Sequence, residues 1–332
     1  MMNVFVLGGT GLLGMATIKE LLSKGYGVST IARNKEVMDD VMPEQVKERF
    51  IGDINELTDE QVLDLLNGKD VFVYAAGLDE RTLPEAPAVR FYYVKNVLPT
   101  QRLARLARQA GMKKFVIFGS YHAETASMWP DLAMYEQPYV KTRLMQEEIA
   151  FMEGEGEMDV MSLRLPYIFG TMPNRTPLWK SFYPRIQGQE HVEIPEGATA
   201  MVTTKQVAEA AVGALENGQH RTTYAISGIN MKYKEFYEMI AESLGQQETV
   251  IETASLGKLK PSAEKTDETV AAQGKEFAIH MEKQIEMQDR DAFIDPEETM
   301  SLLQYKEDDV RAEITNTLEV CAQEVQKGEK IY

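Results

Sequence analysis

The chain has 332 residues, of which 44% are hydrophobic and 26% are charged, so it can form a full hydrophobic core and is not a disordered chain. Its 35 basic and 52 acidic residues give a net charge of −17, which argues against nucleic-acid and membrane-surface partners. One cysteine excludes an internal disulfide, and four scattered histidines give no metal-ligand spacing. No apolar run approaches the ~20 residues of a membrane span, and the first residues lack a signal-peptide pattern. We therefore expect a cytoplasmic protein without a metal site.

The first two thirds of the chain alternate short apolar runs with helical patterns. Helices are predicted near residues 12–24, 58–66, 97–110 and 139–153. Nearly continuous apolar strands separated by helices indicate a parallel sheet covered on both faces, which is a doubly wound α/β fold. The predicted strands are Val4–Leu7, Val28–Ala32, Arg49–Ile51, Val71–Ala75, Phe115–Phe118 and Met161–Leu165.

The pattern changes after Gly170. Residues 171–202 show no clear period, and a helix (203–216), a strand (Thr223–Ser227) and a helix (232–244) are predicted to follow. Residues 246–332 hold 20 acidic and 10 basic residues, more than half of the total charge excess. This stretch favours a solvated helical surface over an acidic partner-binding tail.

A glycine-rich loop follows the first strand directly. In Gly8-Gly9-Thr10-Gly11-Leu12-Leu13-Gly14, the first glycine turns the chain, Gly11 admits a pyrophosphate to the backbone, and Gly14 lets the helix pack against the sheet. The helix N-terminus would then face the phosphates with its positive dipole end. The strand–loop–helix context predicts a dinucleotide site held by Gly8, Thr10, Gly11, Leu12, Leu13 and Gly14.

The end of the second strand predicts which dinucleotide is bound. An acidic residue there would bind the ribose 2′-hydroxyl of NAD, but this chain has Ala32, followed by Arg33 and Asn34. A guanidinium suits a 2′-phosphate, so NADP is favoured over NAD, unless Arg33 is an ordinary surface charge stacked on adenine. Two further strand ends are expected to contribute. In Gly52-Asp53-Ile54 the carboxylate can accept from the adenine amino group, and the small residues of Ala75-Ala76-Gly77 let the protein backbone approach the cofactor.

Taken together, these residues resemble the extended short-chain dehydrogenase/reductase superfamily, in particular its NAD-dependent epimerase/dehydratase and dihydroflavonol-reductase-like members. The resemblance covers roughly residues 3–245. It implies a Rossmann-type domain over 1–170, with 203–228 returning to it, and a smaller, mainly helical C-terminal substrate domain from 171–202 and 229–332. Besides the segments above, it rests on Asn96 and on the runs Phe115–Ser120, Pro138–Arg143 and Leu163–Gly170, with Pro166 at the cofactor.

The resemblance also implies a hydride-transfer site. Ser120 would hold the substrate oxygen, with Tyr121 as a less favoured claimant, and Tyr139 would act as acid or base. Four residues after this tyrosine the family has a lysine, whereas this chain has Arg143. On a helix Arg143 shares a face with Tyr139, and Lys141 does not. An arginine keeps the cation that lowers the pKa of the tyrosine, but it relays protons poorly because it does not deprotonate.

Three functions remain open at this stage. The first is NADPH-dependent reduction of a small carbonyl substrate, the second a nucleotide-sugar epimerase or dehydratase, and the third a non-catalytic NADP-binding sensor or scaffold in which Tyr139 only packs. By analogy, the segments 121–137 and 171–202 overhang the pocket, and their candidate substrate residues are Tyr121, His122, Trp129, Tyr135 and Arg175.

A homodimer is expected by the same analogy, through the helices near 97–110 and 139–153. Leu103, Leu106, Ile149 and Met152 give these helices a suitable apolar spacing. The alternative is that these faces only pack on the sheet.

Overall fold

A computed structural model describes residues 2–328 of the chain. Its centre is a seven-stranded parallel sheet with the order β10-β6-β5-β4-β1-β2-β3. These strands are β1 Asn3–Leu7, β2 Gly27–Ala32, β3 Glu48–Ile51, β4 Val71–Tyr74, β5 Lys114–Ser120, β6 Asp159–Leu165 and β10 Thr222–Ala225.

Helices follow the strands and cover both faces of this sheet. Those of the first two thirds and the returning segment are α1 Leu12–Ser23, α2 Lys35–Val41, α3 Asp59–Leu66, α4 Ala88–Tyr92, α5 Leu98–Gln109, α6 Tyr121–Met128, α7 Pro138–Gly154 and α8 Thr204–Asn217. Apolar side chains form one buried cluster on each face, and the rings of Phe5, Phe72 and Phe115 pack together in one of them. The predicted doubly wound α/β fold is confirmed.

The remaining elements pack around a second, aromatic core. A small sheet joins β7 Tyr167–Phe169, β9 Ala198–Thr203, β11 Ile229–Lys232 and β13 Asp291–Ala292, while β8 His191–Ile194 pairs with β12 Val250–Thr253. The helices here are a 3₁₀ segment Leu178–Arg185, α9 Tyr233–Ser243, α10 Leu256–Ala271, α11 Met281–Gln288, α12 Pro296–Leu303 and α13 Val310–Gln326. β10 and α8 belong spatially to the first sheet, since β10 pairs with β6 and α8 packs on α1.

Two regions differ from the sequence expectation. The helix predicted over 97–110 begins at Leu98 and is preceded by α4 and a π-helical turn, Tyr93–Val97. The hydrogen bonds of a π-helix span one more residue than those of an α-helix, and an analysis based on α-helical periodicity does not detect this. The segment 121–137 was expected to overhang the pocket, with no helix predicted in it. It begins with the helix α6, because the Ser120 side chain caps the helix by accepting from His122 N at 3.3 Å.

Within residues 2–328, no helix is long and apolar enough to cross a bilayer. The same residues contain no group of three or more His, Cys, Asp or Glu side chains placed to hold a metal ion.

Candidate active site

The glycine loop has the geometry that its sequence predicts. Gly8 has a φ of +86°, and a Cβ at this position would lie 2.3 Å from the Ala75 carbonyl oxygen. A Cβ on Gly14 would lie 2.2 Å from the Gly8 carbonyl oxygen. Both distances are too short for any side chain, so the loop and α1 can pack against β4 only when positions 8 and 14 are glycine.

The N-terminus of α1 is free to meet an anion. Gly11 occupies the cap position, no side chain caps the helix, and its first turn contains no acidic residue. The first N–H groups of the helix are therefore available to a pyrophosphate, and the dipole favours one. Loop and helix together fit a bound dinucleotide.

The other predicted cofactor residues lie at neighbouring strand ends. Asn96, fully buried, accepts from Leu78 N at 2.8 Å and donates to Leu78 O at 2.9 Å, which fixes the chain just after Ala75–Gly77. Asn34 Oδ1 caps α2, and Arg33 beside it is exposed at the end of β2. Asp53 Oδ1 accepts from Asn55 at the end of β3, next to the buried Ile54.

A cavity of about 510 Å³ opens at the carboxyl edge of β4, β5 and β6, beside the glycine loop. This is the edge at which doubly wound folds bind their ligands. Predicted cofactor, catalytic and substrate residues line it together: Leu13, Ala75, Ala76, Gly77, Ser120, Tyr121, His122, Tyr139, Arg143 and Pro166. Its outer wall is aromatic, with Tyr167, Trp179, Phe182 and Tyr237, and α11 adds Gln284 and Gln288.

Tyr139 and Arg143 are directly hydrogen-bonded at the base of this cavity. Arg143 Nη1 donates to Tyr139 Oη at 3.0 Å, and Nη2 donates to the Phe118 carbonyl oxygen at 2.5 Å. Tyr139 is 3% exposed and Arg143 7%, and the Arg143 Nε has no hydrogen-bond partner. Neither residue is a surface residue.

The pKa of Tyr139 is raised above its ordinary value, contrary to the expectation from the sequence. Burial is the main cause, and Glu80 adds to it, whereas Arg143 and the Ser120 hydroxyl act in the opposite direction. The cation is present as expected, but desolvation outweighs it. Tyr139 is therefore protonated at neutral pH, which is the state of a proton donor.

His122 and Tyr121 stand beside Tyr139 in the cavity. The His122 ring lies 6.1 Å from the Tyr139 ring, and its Nδ1 is buried without a partner, as is the Tyr121 hydroxyl. Burial, assisted by Arg143, lowers the pKa of His122 to about 3, so its imidazole is neutral under ordinary conditions.

Other sequence candidates lie elsewhere. Arg175 is on an exposed turn, bridged to Met172, that does not line this cavity, so its predicted substrate role gains no geometric support. Trp129 packs against Arg290, and Tyr135 is 48% exposed. The sequence analysis missed Glu80, which also lines the cavity. The available signal was its position five residues after Ala75, where the predicted strand ends in small residues.

The fold and the cavity define a dinucleotide-binding protein whose ligand site contains a buried tyrosine–arginine pair. The sequence profile of the NAD dependent epimerase/dehydratase family matches residues 4–227. The chain belongs to this family of NAD-dependent enzymes, which confirms the resemblance seen in the sequence.

Two relatives of described activity match about half of the chain. It is 25% identical over 189 residues to the decarboxylating sterol-4-alpha-carboxylate 3-dehydrogenase of Dictyostelium discoideum, covering 52% of this chain and 56% of that protein. It is 28% identical over 188 residues to the UDP-glucose 4-epimerase of Bacillus subtilis, covering 52% and 55%. The match thus spans just over half the length of these relatives.

Solved structures share the fold over almost the whole chain. The structure of gox2253 gives a TM-score of 0.74 at 19% identity and covers 99% of both chains. MoeE5 in complex with UDP-glucose and NAD gives 0.66 at 20% identity, covering 97% of this chain and 99% of that one. At these identities the similarity establishes the fold alone.

Proposed function

We propose that the protein is an NAD(P)-dependent oxidoreductase that reduces a small carbonyl substrate. The observation that carries the proposal is the buried Tyr139, held by Arg143 in a cavity that also reaches Leu13 beside the glycine loop and Ala75–Gly77. A protonated phenol in a desolvated pocket is suited to donating a proton to a carbonyl oxygen.

Each residue has a distinct task in this scheme. The loop Gly8–Gly14 and the N-terminus of α1 would hold the pyrophosphate, with Ala75–Gly77 and Pro166 along the rest of the cofactor. Bound there, a reduced nicotinamide supplies a hydride. Ser120 and Tyr139 hold the carbonyl oxygen, and Tyr139 gives it a proton. Arg143 then stabilises the tyrosinate through its 3.0 Å hydrogen bond.

We further propose that NADPH is preferred. The exposed Arg33 at the end of β2, with no acidic residue at the ribose position, supports this choice. Titration of the purified protein with NADPH and NADH tests it. We expect tighter binding of NADPH, and Arg33→Ala should weaken NADPH binding by about tenfold or more, equivalent to ~1.4 kcal/mol, with little effect on NADH. Equal affinities for the two nucleotides would overturn the preference.

The similarity to UDP-glucose 4-epimerase favours one alternative, a nucleotide-sugar epimerase. The cavity offers it limited support, because its cations are already engaged. Arg81 pairs with Asp79, while Arg185 donates to the Glu193 carbonyl oxygen at 2.7 Å and to Tyr237 Oη at 3.4 Å. A pyrophosphate would have to compete with these partners. NAD retained through purification would favour the epimerase.

A screen of carbonyl substrates with wild type and Tyr139→Phe decides whether the site is catalytic. We expect Tyr139→Phe to lower kcat by roughly 10²–10⁴-fold, the range of general acid catalysis, with cofactor affinity unchanged. Wild-type turnover that survives in Tyr139→Phe would contradict the assignment. Cofactor binding without turnover of carbonyl compounds or nucleotide sugars would instead indicate a sensor or scaffold.

A further inference from the structure

The arginine at position 143 leaves the site without an obvious proton supply. After Tyr139 has given its proton to a substrate, the tyrosinate must be reprotonated before the next turnover. A guanidinium does not deprotonate in proteins, so Arg143 stabilises the tyrosinate but gives it no proton. His122 is neutral and lacks a second proton to give.

Two acids, Asp79 and Glu80, line this cavity together with Tyr139. Glu80 follows β4 at the carboxyl edge of the sheet, two residues beyond Leu78. The side-chain amide of Asn96 holds the Leu78 backbone through two hydrogen bonds. Glu80 is partly buried at the wall of the cavity.

The neighbouring acid, Asp79, is already committed. Its two carboxylate oxygens accept from the backbone N and the guanidinium of Arg81. Among residues 2–328, no Lys or Arg makes an ion pair with Glu80. Its carboxyl group therefore remains able to bind and release a proton.

We propose that Glu80 supplies the proton that restores Tyr139 after each reduction, in place of the lysine-based relay of the family. The inference rests on the proposed function. In the step, the Glu80 carboxyl O–H bond breaks, a new O–H bond forms at the Tyr139 tyrosinate oxygen, and a Glu80 carboxylate remains. The carboxylate is then reprotonated from solvent.

The electrostatics of the cavity favour this direction of transfer. Burial raises the pKa of Glu80 and Asp79 adds to the rise, whereas a backbone hydrogen bond, Arg81 and Arg143 oppose it. The pKa of Tyr139 is also raised, partly by the Glu80 charge, and a phenol is ordinarily a far weaker acid than a carboxyl group. Proton transfer from the carboxyl to the tyrosinate is thus downhill. The other groups that face Glu80 are Tyr92, Tyr121 and Tyr167, whose burial keeps them protonated.

One measurement does not require turnover. With 3-fluorotyrosine incorporated at position 139, ¹⁹F NMR follows the ionisation of that phenol alone in the full-length protein. We expect Glu80→Gln to lower its pKa by about one unit, because a nearby negative charge is removed. Asp79→Asn, a matched loss of charge whose carboxylate is paired with Arg81, should lower it less. An unchanged pKa in Glu80→Gln would overturn the inference whether or not a substrate is known.

The second measurement is the pH profile of carbonyl reduction. We expect Glu80→Gln to lower kcat by roughly 10–10²-fold with little change in KM, and Glu80→Asp to restore part of the rate. The fall in the wild-type rate at high pH should move or vanish in Glu80→Gln. A lowered fluorotyrosine pKa with an unchanged kcat and pH profile would show that Glu80 acts only through its charge, and the relay would be rejected. Absence of any wild-type reduction would instead reject the proposed function.

Discussion

Replacement of Arg143 by methionine separates the catalytic and structural consequences of the buried guanidinium. The variant loses two hydrogen bonds from a charged donor, to Tyr139 Oη at 3.0 Å and to the Phe118 carbonyl oxygen at 2.5 Å. At about 1.5–3 kcal/mol each, they amount to ~3–6 kcal/mol. Arg143, however, is 7% exposed, and its described hydrogen bonds include no carboxylate. Removing it recovers a desolvation cost of several kcal/mol.

Because these two quantities nearly cancel, we expect the free energy of unfolding of Arg143→Met to stay within about 2 kcal/mol of the wild-type value. Catalysis should respond differently. Without the cation the pKa of Tyr139 rises further, by roughly 1–3 units. At 1.36 kcal/mol per unit, the tyrosinate loses ~1.4–4 kcal/mol of stabilisation, so kcat should fall by about 10–10³-fold.

Urea unfolding and steady-state carbonyl reduction at saturating cofactor measure the two effects. Lys141→Met is the matched control, since it removes an exposed cation from the same helix and should change neither quantity. A loss of more than ~4 kcal/mol of stability in Arg143→Met would refute the cancellation argued here. Wild-type kcat in that variant would refute the role of Arg143 at Tyr139.

Two further predictions concern the glycine loop and the association state. Gly8→Ala should abolish cofactor binding in calorimetry, because its Cβ would lie 2.3 Å from the Ala75 carbonyl oxygen. Gly25→Ala is the control, because Gly25 has a similar φ of +82° but open space around it. This variant should keep cofactor binding and lose about 1–2 kcal/mol of folding stability. Met152, 61% exposed on α7, is predicted to lie in a homodimer interface, so Met152→Glu should yield monomers in light scattering, whereas Leu302→Glu on α12 should not. Equal masses for wild type and Met152→Glu would contradict this interface.

The structure refines the dimer prediction residue by residue. Leu103 and Leu106 were expected at the interface, but both are fully buried in the cluster on the sheet. Met152 and the half-buried Ile149 remain available on α7. Apolar spacing in a helix shows that a face is buried, but it does not distinguish burial against the sheet from burial against a second copy.

The local part of the site was predictable because it depends on short stretches of sequence. Gly8 and Gly14 exclude side chains through contacts with neighbouring loop and strand backbone, and Arg143 lies one helical turn after Tyr139. Backbone sterics and the 3.6-residue helical period fix such relations, so the glycine loop, the parallel strands and the Tyr139–Arg143 pairing could all be read from the sequence.

Tertiary structure decided what surrounds these elements. It brought Glu80 from the end of β4 to the cavity of Tyr139, buried His122 beside it and left Arg175 outside. It also reversed the expected shift of the Tyr139 pKa, because desolvation depends on every segment that closes over the phenol. The sequence by itself determined which groups can do the chemistry, since composition and periodicity are local properties. Only the packing of distant segments decided the charge states of these groups and which residues lie beside them, because burial and long-range electrostatics are properties of the whole fold.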